Sequence, residues 1–258
     1  EQAILDMHEV LIGASYPEWV GHWREEQVWV GGSNFGPHDA PFVPPHHERV
    51  PAAMRDLVVF MRRDDIPALV QATVAHAQFE TIHPFPDGNG RTGRALIHSL
   101  LRAKRLTRTV TVPVSAGLLA DTTAYFDSLT SYREGDPAAI VELIAESSFR
   151  AVGNGRTLAS DLGAARRDWD DRITVRRGAA AHRLADLLVR QPVVDSTLVQ
   201  RELGVAATNA NTAIGHLEDK GILTKVSGNH RNRKWAAPEV LAALDDFAER
   251  AGRRSRSA

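Results

Sequence analysis

HPFPDGNGRTGR, residues 83–94, is the stretch on which the reading of this 258-residue chain turns. Gly88, Asn89 and Gly90 let the main chain take positive φ and turn successive N–H groups toward one point, which forms an anion nest. Helical spacing resumes at once, so unpaired first-turn N–H groups and a positive dipole end face the same point. Arg91 and Arg94 stand at i, i+3 on one face of that turn, and guanidinium forks bind phosphate oxygens in pairs. Nest, helix end and two arginines together are more than a turn needs, and they mark a phosphate site. Asp87 is out of place in so positive a setting unless a cation joins it. Mg²⁺ takes one or two carboxylates and leaves its other positions to phosphates and water. The competing reading of Asp87 is a helix cap; we take the metal reading. His83, at the mouth of the loop, can accept a hydroxyl proton because an imidazole titrates near neutrality. Phe85 is expected to face the core and pin the loop.

Outward from this loop, helical periodicity covers 50–61, 66–81, 90–105, 115–132 and 137–152. Residues 27–30 are short and β-branched and end at Gly31-Gly32, which predicts a strand turning into a hairpin. Segment 153–178, rich in Gly, Arg and Asp, is the expected connector, with one helix. Beyond it come helices at 180–190, 196–203 and 207–220, a β-like ribbon over 222–235, and a helix at 238–250.

Composition sets the outer bounds. Apolar residues are 43% and charged residues 24%, as in a folded globular protein. No apolar run reaches the ~20 residues of a membrane span, so no membrane role is expected. There is no cysteine, which removes disulfides and thiolate metal sites and agrees with a cytoplasmic setting. The net charge of −1 conceals +5 over 176–258 and −6 over 1–175, which suggests two modules with different partners. A P-loop, a dinucleotide-binding GxGxxG unit and the protein-kinase signatures are all missing. Adjacent His46 and His47 show no third ligand in the sequence and read as surface residues.

The loop resembles the Fic family motif, HxFx(D/E)GNGRxxR, at every defined position. HAQFETIHPF, QVWVGGSN, FVPPHHERVPAAM and VSAGLLADTTAYFDSLTSYREGD extend the similarity over roughly residues 1–150. The resemblance implies an all-α Fic core with a small β-hairpin flap over 1–152. It implies a protein adenylyltransferase whose substrate is ATP and whose metal is Mg²⁺. His83 would deprotonate a Ser, Thr or Tyr hydroxyl on a target protein, or on the chain itself, and that oxygen would attack the α-phosphate and expel pyrophosphate. Asp87 would hold Mg²⁺. Gly88, Asn89, Gly90 and Arg91 would cradle the phosphates, and Arg94 would pair with the γ-phosphate. A flap over Val28, Trp29, Val30 and Gly31 would receive the target segment as an added strand. Glycine stands where Doc-type phosphotransferases carry lysine, so adenylylation outranks phosphorylation; UMP transfer and AMP removal stay open.

Many Fic proteins also carry an inhibitory helix, [ST]xxxE[GN], whose glutamate pairs with the last motif arginine, here Arg94. TSYREG, at 130–135, fits the letters, but we read it as the end of a core helix, and the inhibitory helix is expected upstream of Glu1. After a helical connector over 153–178, residues 179–240 resemble a winged helix, followed by a terminal helix and basic tail over 241–258. Its second short helix offers Asn209, Asn211, Thr212 and His216 to a DNA groove, and its wing carries Lys225, His230, Arg231, Arg233 and Lys234. Glu218 and Asp219 argue for protein contacts or dimerisation instead. The arginine-rich, lysine-poor composition hints at a GC-rich bacterial genome. The alternative function is a DNA-binding transcriptional regulator whose Fic site senses nucleotide, which would need neither His83 nor a catalytic metal.

Overall fold

The structure is a computed structural model, and it describes residues 1–32, 36–107, 121–226 and 233–252. The chain divides into two compact units, Glu1–Ala151 and Val152–Ala258.

The first unit is helical: α1 (Gln2–Ile12), α2 (Val50–Met61), α3 (Ala68–Ile82), α4 (Asn89–Ala103), α5 (Thr122–Arg133) and the opening turns of α6 (Ala138–Arg172). Its centre is α3, which has no polar face: Ala72, Ala75, Ala77, Phe79 and Ile82 are buried, and so are Gln71, Thr73, His76 and Glu80. A helix apolar or buried on all sides belongs in a core, and its alanines let neighbouring helices approach closely. Met54 and Leu57 of α2, Leu96, Ile97 and Leu101 of α4, Leu129 of α5 and Ile140 of α6 close around it. The buried amide of Gln71 donates to the carbonyls of Phe60 (2.9 Å) and Arg63 (2.8 Å), so it satisfies the exposed end of α2.

The expected hairpin is reduced here. Among the described residues the flap region contributes one isolated antiparallel bridge, Val30 to Phe42, with Val30 N–H donating to the Phe42 carbonyl at 2.9 Å. Gly31 and Gly32 both take positive φ (74° and 73°), and a Cβ on Gly32 would lie 2.9 Å from Asp39 and Ala40 backbone atoms. The expectation of a helix from 115 falls partly outside the described residues; α5 itself starts at Thr122, capped by Asp121, whose side chain accepts from the Ala124 N–H. Glu134 is exposed just past that helix, where Asp136 N–H bonds back to the Ser131 carbonyl, so 130–135 is a helix end followed by a turn.

Where the sequence suggests a break at 152, α6 runs unbroken to Arg172. Gly153 and Gly155 meet open space, and a helix interior tolerates each glycine at a cost of about 1 kcal/mol relative to alanine.

In the second unit the last turns of α6 bring Trp169 into a separate core with α7 (Ala180–Leu188), α8 (Ser196–Leu203), α9 (Ala207–Asp219) and α10 (Pro238–Arg250). Three short antiparallel strands, β1 (Val193–Asp195), β2 (Thr224–Lys225) and β3 (Lys234–Ala236), lie in the order β1-β3-β2, with Val194 opposite Trp235 and Lys225 opposite Trp235 from the other side. The sequence reading misses β1, because three residues after a proline carry no period of their own. Gly204, at φ 62°, makes the turn between α8 and α9, and Asp195 caps α8 through the Leu198 N–H at 2.8 Å. Among the described residues no helix is long and apolar enough to cross a membrane.

Candidate active site

His83 is the residue that ends α3, in the left-handed region at φ 51° and ψ 61°, with its N–H on the Phe79 carbonyl at 2.9 Å. A non-glycine residue there is strained, and such strain persists only where the surroundings impose it. The main constraint is Arg24. Its side chain is buried, and it donates to the carbonyls of His83 (2.8 Å), Glu26 (2.7 Å) and Pro45 (2.5 Å), while its own N–H bonds Pro84 at 2.9 Å. Sequence reasoning missed Arg24, since nothing local marks an arginine 59 residues from its partner.

The loop after His83 closes on itself. Asn89 Oδ1 accepts from the Phe85 N–H (3.0 Å) and its Nδ2 donates to the Phe85 carbonyl (2.8 Å). The Asn89 side chain thus holds the loop, and only its main-chain N–H is left to face a phosphate. Phe85 is buried, as expected, and the ring of His8 stacks on it at 3.6 Å while His8 Nε2–H donates to the Asp87 carbonyl at 2.9 Å. Gly88 sits at φ 81°, where a Cβ would press on Ile12 and His8, so α1 seals the loop from behind. His8 too was invisible in the sequence.

The expected nest is corrected here: of Gly88, Asn89 and Gly90 only Gly88 takes positive φ, and its N–H donates to Asp87 Oδ1 at 2.6 Å. Asn89 and Gly90 already belong to α4, so the N–H groups left over are those of the helix start. The N–H groups of Asn89, Gly90 and Arg91 form the first turn of α4, which has no carbonyl of its own to offer them. The Arg94 guanidinium folds back over Gly90, whose absent Cβ would stand 3.1 Å from Nη1. Arg91 is exposed and reaches Asp87 Oδ2 at 3.3 Å, while Asp87 Oδ1 accepts from the Gly88 N–H at 2.6 Å. Asp87 is half exposed beside the nest. Both oxygens are engaged, but an exposed carboxylate has lone pairs to spare and fits a hard divalent ion that shares its coordination with phosphates, most simply at the Oδ2 that Arg91 holds at 3.3 Å. The flap residues Val28, Trp29 and Val30 are half-buried and Gly31 is exposed. Across the bridge, Phe42 lies under the Arg133 guanidinium at 3.5 Å. His46, His47 and Glu48 place their ligand atoms within 4.8 Å of one another, so Glu48 supplies the third donor that the sequence reading did not count. His46 and Glu48 are exposed and lie 3.5 Å apart, an arrangement that needs no ion.

Charge in the site is set by burial. Burial lowers His83 to about 4, against the Glu80 carbonyl 3.4 Å from Nδ1, so the ring is neutral at physiological pH. Burial lowers His76 to about 4 as well, and pushes Glu80 up to about 7 against the opposing pull of Arg94 and Arg133. Both histidines take up protons in the unfolded chain near 6.5, before they do in the folded one, so the stability they contribute is full above that pH and falls toward 4. Each difference is worth on the order of 3 kcal/mol. Glu80, raised, acts in the opposite sense: its contribution is full below about 4.5 and is lost as pH rises through 7. The expected net result is a loss of about 3 kcal/mol between pH 7 and pH 4, read from denaturation midpoints in guanidinium chloride. Stability unchanged across that range would contradict the burial of these two rings.

Residues 1–101 match the family model described as Fic/DOC family. The chain is 30% identical over 152 residues to the protein adenylyltransferase fic-1 of Caenorhabditis elegans, an alignment that covers 58% of this chain and 27% of that protein. It is 36% identical over 88 residues to a probable protein adenylyltransferase of Aquifex aeolicus, covering 31% of this chain and 28% of that one. The chain thus spans less than a third of the length of these curated relatives. A solved Fic family protein from Desulfovibrio desulfuricans G20 superimposes with a TM-score of 0.53 at 22% identity, over 92% of this chain and 68% of that chain, a likeness of fold.

Proposed function

We propose that the Fic/DOC domain of residues 1–101 makes this chain a protein adenylyltransferase, moving AMP from ATP to a Ser, Thr or Tyr hydroxyl on a target protein or on itself. The observation that carries the reading is His83, a neutral imidazole held by strained backbone at the mouth of a phosphate nest. In this reading the free N–H groups at the start of α4, with Arg91 and Arg94, hold the phosphates. Asp87 would hold Mg²⁺, and such an ion would supply positive charge to the phosphates. His83 takes the hydroxyl proton, the oxygen bonds to the α-phosphorus, and pyrophosphate leaves. The flap around Val28, Trp29, Val30 and Gly31 aligns the target segment by main-chain pairing. Full chain incubated with Mg²⁺ and ATP labelled at the α-phosphate should become labelled, or should label a target. Label from the γ-phosphate instead would indicate phosphoryl transfer, and no label from either would favour a nucleotide sensor.

The order helix, strand, two helices, two strands in the second unit, with sheet order β1-β3-β2, supports a winged helix, and we propose that it binds duplex DNA. Asn209, Asn211 and Thr212 are exposed along α9, although the Thr212 hydroxyl already donates to the Thr208 carbonyl; His216 is half-buried. Glu218 and Asp219, the expected sources of repulsion, are both exposed; Glu218 accepts from Trp235 Nε1 at 3.1 Å, and Asp219 stays a repulsive group on the helix. Exposed Lys225, Arg233 and Lys234 stand beside it; His230 and Arg231 lie outside the described residues. Binding to a generic duplex should weaken by about tenfold or more between 50 and 200 mM salt, as a few released counterions require, in a mobility-shift titration. A shift that ignores salt, or no shift at low salt, would assign this unit to protein contacts.

A further inference from the structure

Glu80 stands one turn before His83 on the buried side of α3, and it is 8% exposed. Its Oε2 lies 4.0 Å from His83 Nδ1, and its Oε1 has no hydrogen-bond partner among the described residues. Room for it exists only because residue 93 is glycine, where a Cβ would come within 2.5 Å of Oε1. Packing alone gives no reason for a carboxylate here, since an apolar side chain of that size would fill the space without the cost of a buried charge. The groups that face it are Arg94 from α4, Arg133 and Tyr125 from α5, and His76 and His83 from α3 itself. The same residue's main-chain carbonyl lies 3.4 Å from His83 Nδ1. Nδ1 therefore lies near two of the three oxygens of Glu80, the carbonyl and Oε2, and among the described residues Nε2 makes no hydrogen bond.

We infer that Glu80 is a positioning residue for His83: its carbonyl holds the Nδ1–H, which leaves Nε2 as the acceptor, and its carboxylate stabilises the imidazolium once Nε2 has taken the hydroxyl proton. The inference rests on the adenylyl-transfer reading for its step, although not for its geometry. Burial alone would make His83 a weak base, and a carboxylate on the far nitrogen offsets that deficit at the moment when charge appears. The carboxylate must be ionised to do so, so the rate should climb as pH rises from 6 to 8.

The test compares wild type with Glu80→Gln, which preserves shape, after circular dichroism confirms that both fold. Glu80→Gln should lower the turnover of AMP transfer at pH 8 by about 10- to 100-fold, the usual effect of losing a group that orients a functional histidine. The KM for ATP should stay within about twofold, and the rise between pH 6 and 8 should disappear. A second readout needs no transfer at all: acylation of His83 by diethyl pyrocarbonate, followed by mass spectrometry, should slow several-fold in the variant and lose the same pH dependence. If the loss falls on ATP affinity, Glu80 serves Arg94 and the inference is overturned. Equal acylation rates in both proteins overturn it too. Slower acylation in a chain that transfers nothing would uphold the pairing and remove the transferase reading.

Discussion

His83→Ala is expected to lower AMP transfer by about 10²- to 10⁴-fold, the range for removing a general base, and to leave nucleotide binding nearly intact. The separation follows from where the groups sit. The nest N–H groups belong to the first turn of α4, and Arg94 folds over Gly90; neither depends on the imidazole for its position. What holds the main chain of residue 83 is Arg24, which grips the carbonyl and not the side chain. Alanine at 83 therefore keeps the loop and loses only the proton acceptor. Isothermal titration with a non-hydrolysable ATP analogue and Mg²⁺ would measure the binding, and label from the α-phosphate the transfer. Loss of both together would mean that the ring supports the loop, and the base assignment would fail.

Arg24→Ala should have the largest effect on stability, about 3–5 kcal/mol by chemical denaturation. Three main-chain carbonyls lose a buried charged donor, at 2.8, 2.7 and 2.5 Å, and each unpaired carbonyl costs about 1–3 kcal/mol before water enters. Arg24→Lys should not restore it, because one ammonium cannot reach three carbonyls spread around a planar fork. The effect should also reach activity, since His83 would relax from its left-handed conformation and the imidazole would swing away from the nest. A variant as stable as wild type would show that water replaces the guanidinium and that the strain at His83 is maintained elsewhere.

The candidate loop at 83–94 was legible because the signals that mark it are local. Glycines, helix start and arginines all fall within twelve residues, and the expected helices at 66–81 and 90–105 differ from Ala68–Ile82 and Asn89–Ala103 by two residues at most. The supports of the loop were not legible, because they act across the fold: Arg24 and His8 are 59 and 79 residues from the atoms they bind. Glu80 and His76 left a faint signal. They stand at i, i+4 in a helix that has no polar face, so at least one had to be buried beside the site. The strand expected at 27–30 rests on short, β-branched residues closed by glycines, which say nothing of a partner; among the described residues its pairing is the single bridge to Phe42.

The two-pronged grip of Asn89 on Phe85 has a consequence for kinetics. A glycine-rich loop that wanders must be ordered by its ligand, and each backbone residue so fixed takes back about 1–2 kcal/mol of the contact energy. Here a side-chain amide has already closed the ring, with α1 behind it, before any phosphate arrives. Nucleotide should then enter in a single bimolecular step whose observed rate stays linear in ATP concentration, and the energy saved is free to be expressed in the transition state.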